Sequence, residues 1–396
     1  MMSNKYYKVG NEVWQWLIFH QDKTGGFPPY PGYIDEPGTI ATADFLSLLF
    51  RPPNIVKGLL KENDEMKVFE KASAAKDFIL NSQLSSGSFA PYGDIYGIKD
   101  VGFSEATATS IVSLLTYLRA FNNFISENDK KNIENAVRRG IRYLVKTMDK
   151  ESYMWPTYKG SPDQKNKDYR YFPTVNILTA FNLYVDVFPE NSASEKNSIK
   201  DVIISIVNEA ILPKLKENQY LPFSLLSNSF SSLVNTIIAV DNIFSILIKT
   251  NTNMDENQKK SWKDILGKTF KFILESLKQS KHEVMDEDII MLDFPDIPPK
   301  YTATYRRDLT AAYVFSSMLL NEGKRGFLEK TIEKNLSQDI EKYIKEVIEK
   351  EIKRMQTSKK WWIEEKRVGE WVPATSATCL FLATLNNQYF RRCGNE

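Results

Sequence analysis

The chain has 396 residues, 42% hydrophobic and 26% charged, and its 52 basic against 50 acidic side chains leave a formal net charge of +2. That balance excludes the basic excess of a dedicated nucleic-acid binder, so no nucleic-acid partner is expected. With only two histidines (His20, His282) and two cysteines (Cys379, Cys393), a four-ligand zinc site, a disulfide framework and a histidine-based triad all lack their parts, and no metal or cofactor is expected. The opening MMSNKYYKVGNEVWQW lacks the positive start and apolar run of a signal peptide, and no stretch approaches about 18 uninterrupted apolar residues. A cytoplasmic protein that is not transmembrane is expected, and the abundance of lysine, isoleucine and asparagine suggests a bacterial one.

In chain order, the predicted elements repeat. An amphipathic segment ending WQWLIF leads through QDKTGGFPPYPG into a helix from Thr39, and KDFILNS leads through QLSSGSFAPYG into a helix from Ser104. The pattern returns with YLVKTMDKESYMWPTYKG before a helix at Thr174 and ILPKLKENQYLPF before one at Ser231. FKFILESLKQ and a long loop precede a helix at Asp308, and IEKEIKRMQ precedes one near Ser376. These starts recur with a period of about 67 residues, the mark of a repeat architecture. The first helix of each pair is amphipathic with one charged face, so it belongs to an outer ring; the second is apolar nearly all round and belongs to an inner ring. An open stack needs atypical capping repeats at both ends. The terminal inner helices here are as apolar as the middle four, so the pairs are expected to close. The predicted fold is all-α, an (α/α)6 toroid spanning residues 1–396 as one domain, with a repeat-breaking loop insertion at about 281–306.

In such a ring the six inner-helix N-termini meet at one rim, where the helix dipoles favour anions. Thr39, Ser104, Thr174 and Ser231 are the expected N-caps. The loops before these helices supply the candidate site residues: the acids Asp35, Glu36, Asp100, Glu105, Asp308 and Glu370, the arginines Arg170, Arg306 and Arg307, and the aromatics Tyr30, Tyr33, Phe103, Tyr171, Phe172, Tyr305 and Trp371, of which Phe103 and Tyr171 sit immediately before an inner helix and are expected to line the pocket. Asp286-Glu287-Asp288 in the fifth loop is too rich in nearby prolines (Pro295, Pro298, Pro299) for a helical diphosphate motif and reads as solvated loop.

QDKTGGF and QLSSGSF resemble the glutamine–glycine–aromatic repeats of terpenoid cyclases, with phenylalanine where tryptophan is usual. Asp308-Leu309-Thr310-Ala311 is similar to the DxDDTA stretch that opens the acid-bearing helix of class II terpene cyclases. The resemblance implies the (α/α)6 toroid shared by terpenoid cyclases and protein prenyltransferase β subunits. It also implies a hydrophobic pocket for an isoprenoid-like ligand, with Asp308 as the general acid. Aligning Thr310-Ala311 leaves only that middle acid, with Leu309 at the last acid position and Arg306 at the first. Arginines beside Asp308 draw its carboxyl toward an ion pair. The zinc ligands of a prenyltransferase are missing. If the chemistry survives, Arg306 and Arg307 would orient an anionic head group, Phe103, Tyr171 and Trp371 would shape the pocket, and Arg170, Glu105 and Tyr305 would join in binding the ligand. Two other readings stand beside it: a non-catalytic scaffold presenting the rim to a protein partner, and a carbohydrate-active (α/α)6 enzyme using two rim carboxylates about 5 to 10 Å apart.

Overall fold

A computed structural model describes residues 2–51, 65–91, 102–156, 169–188, 193–222, 231–249, 254–279, 286–287, 305–331, 336–367 and 370–393. Its inner helices are α2 (Thr39–Leu49), α4 (Ser104–Phe121), α6 (Tyr171–Val187), α8 (Leu233–Leu247), α10 (Arg307–Leu320) and α13 (Thr375–Cys393), each starting within three residues of its expected position. The outer helices are α1 (Met2–Phe19), α3 (Glu65–Asn81), α5 (Glu127–Thr147), α7, α9 (Glu256–Gln279) and α12 (Leu336–Ser358), with a short α11 (Glu322–Thr331) between the fifth pair and the last outer helix. α7 begins as Ala193–Ser205, widens into a π-helical turn at Ile206–Ile211 and continues as Leu212–Asn218. The insertion falls outside the described residues except for the backbone ladder that pairs Asp286 with Arg306 and Glu287 with Tyr305.

The outer helices are one-sided: in α12 the buried residues Ile340, Ile344, Val347, Ile348, Ile352 and Met355 follow helical spacing, while the lysines and most glutamates between them face outward. The inner helices have no such solvent face; α4 buries Ala106, Ala108, Ile111, Val112, Leu114 and Leu115 on all sides. Each inner helix packs against the next, α2 on α4, α4 on α6, α6 on α8, α8 on α10 and α10 on α13, and α13 returns to α2. Closure is also stitched by hydrogen bonds between the two chain ends: Thr375 donates its backbone N–H to the Pro29 carbonyl at 3.0 Å and its hydroxyl to the Pro28 carbonyl at 2.6 Å. α1 then covers α13 from outside. The architecture is the expected (α/α)6 toroid.

The two glutamine–glycine repeats are structural ties. Gln21 Nε2 donates to the carbonyls of Gly25 and Lys71, and Gln83 Nε2 to those of Gly87 and Ala136, so each turn is pinned to the following outer helix. Gly25 and Gly87 both hold φ of +91°, and a Cβ would lie 2.2 Å from the Ala74 carbonyl oxygen at the first and 2.6 Å from that of Arg139 at the second. Only glycine satisfies both the backbone conformation and the close approach.

The caps differ from expectation. α2, α4, α6 and α10 start on Gly38, Phe103, Arg170 and Arg306 without a side-chain cap, whereas α8 is capped by Ser232, which accepts from the Asn235 N–H at 3.1 Å. What repeats instead is a threonine at the fourth residue of every inner helix: Thr42, Thr107, Thr174, Thr236, Thr310 and Thr378. Each hydroxyl donates to the carbonyl four residues earlier at 2.6 to 3.0 Å. At four of them the same oxygen accepts the N–H of a residue in the preceding loop: Phe27, Phe89, Leu221 and Ile363. One hydroxyl thus fixes both the helix start and the strand-like segment feeding the rim, so Thr39, Ser104 and Thr174 have no capping task.

Candidate functional site

The centre of the ring is open. A cavity of about 150 Å³ runs down the axis, lined by the inner helices in layers set by the helical repeat. The second residue of α2, α4, α6, α8 and α13 (Ile40, Glu105, Phe172, Val234, Ser376) forms the layer nearest the rim, joined by Arg306 and Glu365. About one turn deeper lie Asp44, Thr109, Asn176, Ile238 and Leu380, each the sixth residue of its helix. Ser47, Val112, Thr179, Asp241 and Asn242 line the floor with Arg51, which follows the end of α2. The expected hydrophobic pocket is therefore a mixed one, with four carboxylates, two arginines and amides set among aliphatic side chains.

Asp44 is a perturbed acid of the lining. Burial pushes its carboxyl up to about 6, against the opposing hydrogen bond from Ser376. It is the one charged residue in TIATADFLSLL, and Asp241 is likewise the one in LVNTIIAVDNIFSIL. A lone carboxylate in an otherwise apolar inner helix is the sequence signal that marks both, and it was passed over in favour of the loops. Glu365, 3% exposed, accepts from the Tyr30 hydroxyl at 3.4 Å.

Of the residues selected from sequence, Glu105 and Arg306 line the cavity. Arg306 is held in place by a network: its Nε and Nη2 bond both carboxyl oxygens of Asp308 at 3.1 and 2.9 Å, and Nη2 bonds Glu351 at 2.8 Å. Burial opposes its charge, but those two carboxylates overcome that penalty and raise its pKa. Asp308 lies outside the lining. Burial pushes its carboxyl up, but the Arg306 charge and hydrogen bonds outweigh that and hold it below the usual carboxylate range, so it carries no proton to donate near neutrality.

Of the aromatic candidates Phe172 lines the cavity, whereas Phe103, Tyr171 and Trp371 fall outside the lining. Tyr171 is buried with its hydroxyl donating to the Ala210 carbonyl in the π turn of α7. Its neighbour Phe172, about 100° round the helix, faces the axis instead. Phe103 is buried beside Phe89, whose carbonyl accepts its N–H at 3.3 Å. Trp371 is half exposed on a hairpin (Glu364–Arg367 with Glu370–Pro373), opposite Lys366. Arg170 supplies the carbonyl that receives Thr174 and Arg307 is the first residue of α10, and neither is in the lining; the backbone of Tyr305 pairs with that of Glu287. His20 bonds the Trp16 carbonyl at 2.8 Å, away from the cavity, and His282 lies outside the described residues. Among the described residues no group of three or more His, Cys, Asp or Glu is arranged to hold a metal ion, and no helix is long and apolar enough to cross a membrane.

Neither a known protein family nor a curated protein matches the sequence. Solved structures do match the fold. A sugar epimerase from a ruminal bacterium superposes with a TM-score of 0.57 at 14% identity, over 97% of this chain and 99% of that one. The α-1,6-mannanase of a Salegentibacter species matches with a TM-score of 0.57 at 8% identity, over 97% and 99%. A type II terpene cyclase from Scytonema matches with a TM-score of 0.50 at 12% identity, over 98% of each. At these identities the likeness is one of fold, and what it establishes is that this chain is an (α/α)6 toroid.

Proposed function

We propose that the chain is a carbohydrate-active enzyme that cleaves a glycosidic bond, seating one sugar ring in the axial cavity. The observation that carries this reading is Asp44: a carboxyl held partly protonated near pH 6 inside a cavity that contains further carboxylates. A glycosidase needs that pair of states, an acid to protonate the leaving oxygen and an ionised carboxylate to activate water. Asp44 takes the first role. Glu105, on the adjacent helix and four residues nearer the rim, takes the second, and that offset is ~6 Å along a helix axis. The proton leaves Asp44 for the glycosidic oxygen as the bond to the anomeric carbon breaks. Water attacks that carbon and gives its proton to Glu105.

The cavity volume supports a ring-sized substrate. About 150 Å³ is the size at which an engineered protein cavity accepts one benzene ring, well short of a long isoprenoid chain. The sugar epimerase and the mannanase among the fold neighbours are consistent with this choice. Asp308 does not enter the mechanism, because its carboxylate is spent on Arg306.

The test is turnover of a panel of disaccharides and aryl glycosides by the wild type and by Asp44→Asn. The variant should lose at least roughly a hundredfold in kcat, the scale of general-acid catalysis. Turnover of an isoprenoid substrate that Asp308→Asn abolishes and Asp44→Asn spares would replace this reading with the cyclase one. A chain that turns over neither, yet co-purifies with one protein through its rim, would replace it with the scaffold.

A further inference from the structure

The floor of the axial cavity holds more positive charge and more hydrogen-bond donors than its own acceptors consume. Arg51 lines the cavity there, and the two carboxylates nearest it are already engaged: Asp241 by Lys324 at 2.5 Å and Asp186 by Lys249 at 2.9 Å. Three cations (Arg51, Lys249, Lys324) thus meet two carboxylates, and one positive charge is left over. Lys324 is only 8% exposed, and burial together with the charges of Arg51 and Lys249 lowers its pKa, so the cluster is strained toward accepting an anion.

Two neutral donors point the same way. Tyr313, 5% exposed, lines the cavity beside Arg51; the guanidinium can donate to its hydroxyl oxygen, and no protein group accepts the hydroxyl's own proton. Nearer the rim, the buried Nδ2 of Asn176 also lacks an acceptor. Buried polar groups are almost always satisfied, so unpaired donors in the same cavity call for a ligand that accepts. A guanidinium donates only, and its planar fork matches the two oxygens of a carboxylate or a phosphoryl group.

We propose that the floor is an anion subsite, and that the sugar bound in the cavity carries an acidic group, a carboxylate or a phosphoryl ester, seated on Arg51 and Tyr313. This rests on the reading of the cavity as a sugar site. The acidic group anchors the ring from below, leaving its other side toward Asp44 and Glu105.

The experiment is calorimetric titration of the full chain with D-glucuronate, glucose 6-phosphate, glucose and inorganic phosphate, repeated for Arg51→Gln and Tyr313→Phe. One of the two acidic sugars should bind at least tenfold more tightly than glucose, and which one identifies the acidic group. Arg51→Gln should cut that affinity by roughly 10- to 100-fold, the scale of a charged hydrogen bond, and weaken glucose by much less. Tyr313→Phe removes the hydroxyl and leaves the guanidinium in place, and anion affinity should drop several-fold; a purely structural tyrosine would leave it unmoved. If Arg51→Gln does not fold, Tyr313→Phe decides alone. Glucose binding as tightly as both acidic sugars overturns the anion subsite and spares the sugar reading. Phosphate binding that Arg51→Gln abolishes, with no sugar bound, upholds the subsite and overturns the sugar reading. No binding of any of the four overturns both.

Discussion

Asp44 accepts a hydrogen bond from Ser376, so a residue of the first inner helix is completed by a residue of the last. The proposed acid therefore lies at the seam where α13 returns to α2, and its environment exists only in the closed ring.

That placement has a pH signature. The Asp44 carboxyl rises from its usual 3.8 to about 6 in the fold, so the native state holds the proton more tightly than the unfolded chain does. The associated stability is complete below the unfolded value and is lost as pH rises through about 6. Asp44→Asn, which stays neutral, should match the wild type near pH 3.5 and exceed it at pH 8 by up to about 3 kcal/mol. Urea unfolding at the two pH values measures this; an equal effect at both would show that the carboxyl titrates normally. The same ionisation should make turnover fall above about pH 6.

The Arg306 network is predicted to be a stability element. Arg306 and Glu351 are 2% and 1% exposed at the side chain, and Asp308 is 13%. Arg306→Met leaves Asp308 without its arginine and Glu351 with Arg354 alone, and should cost ~3–5 kcal/mol, read by denaturant midpoint. Asp308→Asn should cost less, because Glu351 still pairs the arginine, and it should leave glycoside turnover within a few-fold of wild type. The lowered Asp308 pKa means its contribution is present above the unfolded value and is lost as pH falls toward the folded one.

The repeated threonine gives a third expectation. Thr107→Val keeps the shape but leaves the Phe89 N–H, 3.0 Å from the hydroxyl, without an acceptor inside the protein. The loss should be ~1–3 kcal/mol, while Thr107→Ser, which keeps the oxygen, should lose less than half as much. The equivalent pair at Thr236, serving the Leu221 N–H at 2.8 Å, should behave alike, and unequal behaviour would argue against a shared role.

A fourth concerns the turns. Gly25→Ala drives a Cβ into the Ala74 carbonyl, whereas Gly32, also at positive φ (+79°), has no atom within 4 Å of a built Cβ. Gly32→Ala should cost only the backbone term, about 1 kcal/mol, and Gly25→Ala substantially more. A thermal melt of the two variants side by side checks the ordering.

Much of the ring was legible in the primary structure because periodicity is a local property: apolar inner helices against one-sided outer ones, with starts at Thr39 and Ser104 read to the residue. The glutamine–glycine turns were legible for the same reason, since Gln83 and Gly87 lie four residues apart and bond directly. The site was not. Asp308 looks like a general acid in a motif, but a side chain two positions away, Arg306, consumes it, and Glu351, 43 residues beyond Asp308, anchors that arginine. Tyr171 and Phe172 differ by one position in the chain and by which way they face.

Hydrophobic period and turn chemistry thus determined that this chain is a closed ring of helical pairs. Tertiary structure alone decided what fills the ring's axis. Asp44, Glu105, Asn176, Asp241 and Arg51 come from four different helices and the end of one of them, and they meet only because parallel helices of equal period stack their second, sixth and ninth residues in layers. A carboxyl's acidity and the charge balance around an arginine are properties of that shared volume, to which residues more than a hundred positions apart contribute.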